Sequence, residues 1–366
     1  MKTVLFVIPS LHGGGAERVM LTLLQHFDRA RIRPVLAVVD MRNAAYRDAV
    51  PADVELIDLG CTRVLAALPK IIRLLWARRP DLLFSTLGHL NLALSLVRSL
   101  FPCGVRHVAR ETMVVSEYLR EFRRPRLWAL LYRHAYRRVD RLVCQSFDMR
   151  DDLVGRFGFP PDKTRVIRNP LALAVIRARC AEPLPAEFAA RVAGRLRLVA
   201  AGRLVAQKGF DLLVAALAQC PALDVQLDIL GEGPERAALQ TQIDAAGQGE
   251  RICLRGFQAN PYAWFAAADG FVLSSRYEGF SNVVLEALAS GTPVVALPCP
   301  GGVREALTGV PGCEIAGEVS AEALADALRQ WAVRGPARVP AEVVAPYAVE
   351  AIVGQYEELL LAAGGQ

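Results

Sequence analysis

The chain has 366 residues, of which 53% are hydrophobic and 22% are charged, and its formal net charge is +6. This length suits two globular domains, and no apolar stretch reaches the ~18 residues of a membrane-spanning helix, which argues against an integral membrane protein. The eight cysteines occur singly, without Cys-x2-Cys or zinc-ligand spacing. We therefore expect reduced thiols, no metal site and a cytoplasmic protein.

Short apolar runs alternate with helical spacing along the chain, a pattern that predicts parallel sheets with crossover helices. The predicted strands are residues 4–8, 35–39, 54–59, 82–84, 105–109 and 142–144, then 196–201, 225–230, 252–254, 270–273 and 294–296. The first of these imitates a signal peptide, but it leads into a glycine turn with no small-residue cleavage pattern. We therefore interpret it as a strand.

The alternating pattern breaks near Asn169-Pro170, and Pro183 and Pro185 precede the next strand, so we place a domain boundary there. The predicted fold is α/β, with two Rossmann-like, doubly wound parallel-sheet domains at residues 1–172 and 190–346. Ligands of such sheets bind beyond the carboxyl ends of the strands. Two domains whose strand ends face each other would enclose a cleft.

A glycine turn follows the first predicted strand, where three glycines separate His12 from Ala16 and Glu17 at the start of a helix. Glycines let backbone amides approach a ligand, and a helix start favours an anion. A tight strand-to-helix turn is the alternative interpretation. The segment matches neither Gly-x-Gly-x-x-Gly nor the Walker pattern, so it does not predict a dinucleotide or ATP pocket of those types.

Positive charge is concentrated in residues 1–170, which hold 28 Lys and Arg against 16 Asp and Glu, whereas the rest of the chain holds 15 against 21. The excess peaks between Arg106 and Arg141, with ten arginines and four acidic residues, interleaved with Tyr118, Trp128, Tyr132 and Tyr136. This mixture predicts contact with an anionic membrane surface. An ordinary solvated helix is the alternative, and no nucleic-acid-binding motif accompanies the patch.

Two cations, Arg203 and Lys208, follow the predicted strand at 196–201 and precede a helix. Together they could neutralise a diphosphate, because Arg offers a planar fork and Lys a compact charge. Solvation at the surface explains most such pairs equally well.

Two carboxylates, Glu278 and Glu286, lie eight residues apart, and the Ser281-Asn282 pair between them predicts a helix N-cap. Glu286 would then lie inside a helix otherwise built of Val, Leu and Ala, where an ionised carboxylate needs a partner. The helix N-terminus would attract a phosphate, and Glu286 could reach neighbouring hydroxyl groups. A phosphate next to hydroxyl groups suggests a nucleotide sugar.

The segment RYEGFSNVVLEALASGTPVVA closely resembles the Glu-x7-Glu signature of the retaining glycosyltransferases of family 4, which have the two-domain GT-B fold. This resemblance covers nearly the whole chain. It implies that Glu278 lies against the transferred sugar, that Glu286 holds the nucleotide ribose, and that Arg203 and Lys208 form a diphosphate clamp. The last helix, at about residues 347–366, resembles the GT-B helix that packs back on the first domain.

Other residues gain a role only through this resemblance. Those implied on the donor side are Gly14, Gly15, Gly256, Phe257, Gly279, Phe280, Ser281 and Asn282. Those implied on the acceptor and sugar side are Glu17, His89, Arg110 and Glu111. Arg110-Glu111 occupies the place where many family members carry a His, whereas His107 falls earlier, within the predicted strand.

The resemblance implies a hexosyltransferase that moves a sugar, with retention, from a nucleoside-diphosphate sugar to a hydroxyl of a glycan or lipid-diphosphate-linked acceptor. The expected donor is a UDP-sugar and the expected process is cell-surface polysaccharide biosynthesis. Because the chain has no Asp-x-Asp motif to hold a divalent ion, side-chain cations would replace a metal, and no cofactor is expected.

Two alternatives stay open at this point. The first is a GT-B nucleotide-sugar epimerase or hydrolase, which would share the phosphate grip. The second is a non-catalytic binding subunit of a membrane glycan assembly complex. For the transferase and for both alternatives, we expect a peripheral protein at the inner face of the cell membrane that does not bind nucleic acid.

Overall fold

The structure is a computed structural model that describes residues 1–184 and 194–363. The chain forms two compact units. The first unit comprises Met1–Pro170 and the chain from Tyr347 onward, and the second unit comprises Leu171–Pro346. Position 190, the predicted start of the second domain, lies outside the described residues, as do Pro185 and the last three positions of the predicted C-terminal helix.

A seven-stranded parallel sheet forms the centre of the first unit. Its strands are β1 (Lys2–Ser10), β2 (Ile32–Asp40), β3 (Glu55–Asp58), β4 (Leu82–Thr86), β5 (Arg106–Arg110), β6 (Arg141–Cys144) and β7 (Thr164–Val166). The strand order is β3-β2-β1-β4-β5-β6-β7, so the chain winds outward from the β1–β4 pair in both directions. This confirms the predicted doubly wound α/β fold of the first domain.

Helices cover both faces of this sheet. They are α1 (Gly15–His26), α2 (Val64–Arg78), α3 (Gly88–Leu96), α4 (Val115–Leu119), α5 (Pro125–Tyr136) and α6 (Phe147–Phe157), and the chain returns to this unit as the last described helix, Val349–Ala363. Helices α2, α3, α5 and α6 contact one another in series, as right-handed crossovers on one face of a sheet require. The last helix packs on α1 through Ile352, Tyr356 and Leu360, which are buried in the same core as β1 and β2.

The second unit is built around a six-stranded parallel sheet. Its strands are β8 (Leu196–Ala201), β9 (Val225–Leu230), β10 (Ile252–Gly256), β11 (Gly270–Leu273), β12 (Val294–Ala296) and β13 (Glu314–Ile315), in the order β10-β9-β8-β11-β12-β13. Its helices are α7 (Leu173–Cys180), α8 (Phe210–Ala218), α9 (Arg236–Ala245), α10 (Pro261–Ala267), α11 (Asn282–Ala289), α12 (Val303–Leu307) and α13 (Ala321–Arg334), and we label the returning helix Val349–Ala363 α14. The second predicted domain is therefore also confirmed as doubly wound.

Each sheet reverses its winding direction at one pair of neighbouring strands, β1 and β4 in the first unit and β8 and β11 in the second. The helices that follow such a pair lie on opposite faces of the sheet, and ligands of this fold bind in the crevice at the carboxyl ends of the strands. In the second unit, the loops after β8 and β11 are residues 202–209 and 274–281. These two loops contain Arg203, Lys208 and Glu278.

Candidate active site

The loops after β8 and β11 lie directly against each other. The Ser274 hydroxyl donates to the carbonyl of Lys208 at 2.9 Å. Gly209 has a φ of +61°, and a Cβ at this position would be 2.0 Å from the carbonyl oxygen of Ser274. Only glycine can therefore follow Lys208 without moving one of the two loops.

Lys208 and Glu278 form an ion pair between these loops. The ammonium Nζ lies 2.5 Å from Glu278 Oε1, and the Ser275 hydroxyl donates to the same oxygen at 2.6 Å. Glu278 is only 6% exposed. A carboxylate so far from water needs the partner that Lys208 provides. The sequence predicted both residues for the site but did not predict that they pair.

Arg203 differs from Lys208 in its surroundings. Its side chain is exposed, and in the part of the chain that the structure describes it makes no hydrogen bond or ion pair. The aliphatic part of the Lys208 side chain passes close to Gly202, since a Cβ on Gly202 would lie 3.4 Å from Lys208 Cδ. Lys208 is therefore paired with Glu278, while Arg203 carries a positive charge with no ion-pair partner among the described residues.

Helix α11 begins directly after Glu278, with Ser281 at its N-cap position. The Ser281 side chain does not cap the helix, and its Oγ is buried without a hydrogen-bond partner among residues 1–184 and 194–363. A buried hydroxyl without a partner costs free energy, and amides at a helix N-terminus favour an anion. This position can therefore accept an oxyanion. The N-cap predicted from Ser281-Asn282 is confirmed in position but not in side-chain geometry.

A second glycine-rich segment supports the loop in front of α11. The Glu278 amide donates to the carbonyl of Pro300 at 2.9 Å, and the Gly302 amide donates to the carbonyl of Gly279 at 2.8 Å. A Cβ on Gly302 would meet the Phe280 ring at 1.9 Å. The Phe280 side chain is thus buried against Gly302, and only the backbone of this predicted donor-side residue can reach a ligand.

Three further predicted donor-side residues lie at other places in the second unit. Glu286 is buried on α11, where it is 4% exposed. Gly256 ends β10 with a φ of +73°, and Phe257 behind it is 76% exposed. An aromatic ring held in water beyond a strand end can stack on a flat ligand.

The glycine turn of the first unit is closed by its own glutamate. The Glu17 carboxylate accepts hydrogen bonds from the amides of Gly13 and Gly14, at 2.7 and 2.6 Å, and from the Ser10 hydroxyl. This is a capping arrangement at the start of α1. Glu17 therefore occupies the amides of Gly13 and Gly14, and the donor-side role that the resemblance implies for Gly14 stays a prediction. The amide of Gly15 begins the helix itself.

Arg110 and Glu111, predicted on the acceptor side, are buried inside the first unit. The Arg110 guanidinium donates to Tyr356 Oη at 3.0 Å, to Asn169 Oδ1 at 2.5 Å and to Thr86 Oγ1 at 3.3 Å. The Arg110 side chain therefore ties the returning helix α14 and the last residues of the unit to the sheet. Three of its five N–H groups donate to these partners, and its contact with an acceptor stays a prediction.

Glu111 belongs to the same buried network. Its carboxylate accepts from Tyr136 Oη and, at 3.1 Å, from Asn91 Nδ2. Burial raises the pKa of this carboxyl above its usual range. His107 lies in β5, as predicted, with Nε2 2.8 Å from Ser85 Oγ, and burial lowers its pKa to about 3. His89 is exposed in the first turn of α3, beyond β4.

The aromatic residues predicted to face a membrane point elsewhere. Tyr132 and Tyr136 are 2% and 1% exposed and pack in a core cluster of the first unit, so the prediction for these two residues was wrong. Trp128, Tyr132 and Tyr136 follow one another at intervals of four residues, which places them on the inward side of α5. The outer side of α5 instead exposes Leu127 and Leu130, by 48% and 62%.

Sequence reasoning missed four residues that shape the site, namely Gln207, Asp211, Ser275 and Arg276. They lie within three positions of Lys208 or Glu278.

Among the described residues no group of three or more His, Cys, Asp or Glu side chains could hold a metal ion. No helix in residues 1–184 or 194–363 is long and apolar enough to cross a bilayer.

Family models match both units. A model of glycosyltransferase family 4 matches residues 13–175, and a model of group 1 glycosyl transferases matches residues 195–332. Between them they cover most of the chain, so the protein belongs to the family 4 glycosyltransferases of the GT-B type. The prediction of this family is confirmed.

Known relatives agree with this family. The lipopolysaccharide core biosynthesis glycosyltransferase LpsE of Rhizobium meliloti is 33% identical over 221 residues, which cover 56% of this chain and 61% of LpsE. A Campylobacter jejuni N-acetylgalactosaminyltransferase that acts on a diphospho-undecaprenol-linked sugar is 32% identical over 170 residues, 46% of this chain and 44% of the relative. The matches thus span less than two thirds of these relatives.

The fold is also that of solved GT-B structures. Anabaena HepE in complex with UDP-glucose superposes with a TM-score of 0.80 over 99% of this chain and 100% of HepE, at 21% sequence identity. At this identity the likeness establishes the fold alone.

Proposed function

We propose that this protein transfers a hexose from a UDP-sugar, with retention of the anomeric configuration, to a hydroxyl of a glycan or lipid-diphosphate-linked acceptor. The observation that carries the proposal is the group at the β8–β11 crevice, where the Lys208–Glu278 pair lies beside Arg203, whose side chain makes no ion pair among the described residues. The Ser281 hydroxyl at the start of α11, which has no partner in residues 1–184 or 194–363, belongs to the same group. Such a group suits a diphosphate attached to a neutral sugar.

Each residue then has a distinct task. Arg203 and the amides at the start of α11 bind the diphosphate oxygens, Glu286 holds the ribose, and Phe257 lies where the base would stack. Glu278, fixed by Lys208 and Ser275, contacts the hydroxyl groups of the sugar. The donor would thus give a partner to the Ser281 hydroxyl, which has none among the described residues, and this favours binding.

Transfer breaks the bond between the anomeric carbon and the diphosphate oxygen, and the electron pair leaves with the diphosphate. The acceptor oxygen forms the new bond on the same face of the sugar, and its proton passes to the departing phosphate oxygen. Negative charge grows on the diphosphate during this step. Arg203 and Lys208 stabilise that charge, so we expect the reaction to proceed without a divalent ion.

Relatives guide the choice of donor and acceptor. HepE, which shares the fold, has been solved with UDP-glucose, and the Campylobacter relative uses an acceptor linked to diphospho-undecaprenol. LpsE acts in lipopolysaccharide core biosynthesis. By analogy we place this protein in the biosynthesis of a cell-surface polysaccharide, with a cytoplasmic active site at the inner face of the membrane.

Donor binding can be tested by thermal unfolding with UDP, GDP, ADP and their glucose conjugates. A ligand that binds only the folded protein raises Tm, by an amount that reflects about 2.7 kcal/mol at a hundredfold excess over Kd. We expect stabilisation by UDP and UDP-sugars alone, and its loss in Glu286→Ala. The exposed Glu322→Ala on α13 is the matched control. No shift with any nucleotide would overturn the proposed donor site.

The surface of the first unit supports a peripheral membrane location. Helices α2, α3 and α5, which lie side by side, contain no Asp or Glu. Large apolar side chains are exposed on these helices or beside them, at Leu65, Trp76, Leu100, Leu127 and Leu130. Helices whose charged side chains are all basic, combined with exposed apolar groups, suit an anionic lipid surface.

This location can be tested by sedimentation with phosphatidylglycerol-containing vesicles. Replacing the exposed Arg123, Arg124 and Arg126 by Gln should weaken binding up to about a hundredfold, since each of the three basic groups near an anionic surface contributes about 1 kcal/mol. The control replaces three exposed arginines of the second unit, Arg329, Arg334 and Arg338. Equal sedimentation of both variants and the unmodified protein would favour an ordinary solvated surface.

A further inference from the structure

A dense set of contacts joins residues 206–211, which carry Lys208, to residues 274–278, which carry Glu278. The Arg276 guanidinium pairs with the Asp211 carboxylate through two parallel bonds, Nη1 to Oδ1 at 2.8 Å and Nη2 to Oδ2 at 2.6 Å. Its Nη1 also donates to the carbonyl of Ala206 at 2.7 Å. Arg276 therefore grips the other segment on both sides of Lys208.

The backbone of the two segments is joined as well. The Arg276 amide donates to the carbonyl of Gln207 at 2.8 Å, and Gln207 Nε2 donates to the carbonyl of Tyr277 at 2.9 Å. With the Ser274 bond to Lys208, the positions on either side of Lys208 are fastened to the positions that precede Glu278. The distance between the Lys208 ammonium and the Glu278 carboxylate is thus set by contacts that neighbouring residues make.

The Arg276–Asp211 pair has the geometry of a positioning element. A bidentate guanidinium–carboxylate pair fixes orientation as well as distance, unlike the single contact of an ammonium. The side chains are 37% and 46% exposed, and pairs this exposed contribute little to the free energy of unfolding. The hydrogen bond from Arg276 lowers the pKa of Asp211, so the pair stays charged at neutral pH.

We propose that Arg276 and Asp211 are positioning residues for the transfer reaction, which hold Lys208 against Glu278 at the separation that the transition state requires. This inference rests on the proposed function. Neither residue needs to touch the donor, because each acts through the loops that it joins. A displacement of about 1 Å at a reacting group can cost about a hundredfold in rate, so even a weak pair can matter greatly here.

The test compares Arg276→Gln, Asp211→Asn, the double variant and Arg276→Lys. The control is Arg195→Gln, which breaks the Arg195–Asp224 pair of the same unit, where Nε and Oδ1 are 2.8 Å apart and the side chains are 33% and 61% exposed. For each protein we would measure kcat and KM for transfer, Kd for UDP, and Tm.

We expect each single variant to lower kcat about 10- to 100-fold, with Kd for UDP changed less than about threefold. Tm should match that of Arg195→Gln, and the double variant should be no slower than either single one. Arg276→Lys keeps the charge but loses the bidentate geometry, so it should not restore kcat. Unchanged kcat in an active protein would overturn the inference, as would a loss of kcat that follows Tm.

A second readout does not depend on activity. The chain has four lysines, Lys2, Lys70, Lys163 and Lys208, so acetylation of each amine can be followed separately by mass spectrometry. Breaking the Arg276–Asp211 pair should raise the labelling rate of Lys208 several-fold relative to Lys163. Unchanged labelling of Lys208 in these variants would overturn the inference. Absence of sugar transfer by the protein without substitutions would instead overturn the proposed function.

Discussion

At the scale of single residues, one carboxylate oxygen organises the candidate site. Glu278 Oε1 receives both the Lys208 ammonium and the Ser275 hydroxyl, in a position where Glu278 is almost inaccessible to water. Removing a charge from water costs several kcal/mol unless a partner repays it. The two residues are therefore interdependent, although seventy positions of sequence separate them.

This interdependence predicts that the effects of Lys208→Met and Glu278→Gln on stability are not additive. Each single variant leaves one buried charge alone and should lower the free energy of unfolding by about 3 kcal/mol. The double variant removes both charges and should lose much less than the sum. Urea unfolding of the four proteins measures this, and additive losses would show that the two charges are not coupled.

The buried His107 gives the stability a dependence on pH. Burial lowers its pKa to about 3 in the folded protein, against 6.5 for an ordinary histidine. As the pH falls below 6.5, the unfolded chain binds a proton that the folded protein does not, so stability that is present above pH 6.5 is lost. At pH 5 this loss amounts to about 2 kcal/mol.

The variant His107→Gln should therefore lose less stability than the unmodified protein between pH 7 and pH 5, even if it is less stable at both. Urea unfolding at several pH values measures the difference. His134→Gln, which removes an exposed histidine of α5, should keep the full pH dependence. Identical slopes for all three proteins would rule out His107 as the source.

At the scale of elements, the two loops of the crevice depend on a glycine that no larger residue can replace. Gly209 and Gly247 have nearly the same φ, +61° and +63°, but only Gly209 has a neighbour, the Ser274 carbonyl oxygen, within reach of a Cβ. They form a matched pair that separates backbone strain from steric contact.

Gly247→Ala should cost about 1 kcal/mol, the usual penalty for a non-glycine residue at positive φ. Gly209→Ala should cost more and should also lower kcat strongly, because the Ser274 loop must move away from Lys208. Thermal unfolding and transfer assays distinguish the two effects. Equal losses of stability and activity in both variants would contradict the close contact of the loops.

The elements also show what the sequence can predict. Apolar runs identified β1 to β6 and β8 to β12, because each of these strands coincides with a short run of mainly apolar residues in the sequence. They missed β7 and β13, which are only three and two residues long and have little apolar character of their own. These edge strands form because the backbone of the neighbouring strand provides hydrogen-bond partners.

The inward position of the aromatic residues of α5 was predictable, although they were assigned to a membrane-contacting patch. The four-residue spacing of Trp128, Tyr132 and Tyr136 indicates one helical face, and a face so apolar turns to the core. The pairing of Lys208 with Glu278 and the capping of the Gly14 amide by Glu17 were not predictable in this way. They depend on how separate loops approach each other, and no periodic pattern in the sequence records that.

At the scale of the whole molecule, the two units carry different charge. The first unit, residues 1–170 and 347–366, holds 28 basic and 19 acidic residues, an excess of nine positive charges, and the second unit, residues 171–346, holds 15 and 18, an excess of three negative charges. The basic unit bears the acid-free helices α2, α3 and α5, and the acidic unit bears the candidate donor site. This division suits an enzyme whose acceptor lies at an anionic membrane and whose donor is dissolved.

Sugar transfer with retention is tested most directly by the anomeric configuration of the product. The protein would be incubated with a 13C-labelled UDP-α-hexose and a lipid-diphosphate-linked acceptor in the presence of EDTA, and the linkage would be determined by NMR. We expect an α-linked product, because the donor is α-linked and its configuration is retained. A β-linked product, free hexose alone, or turnover that EDTA abolishes would contradict it.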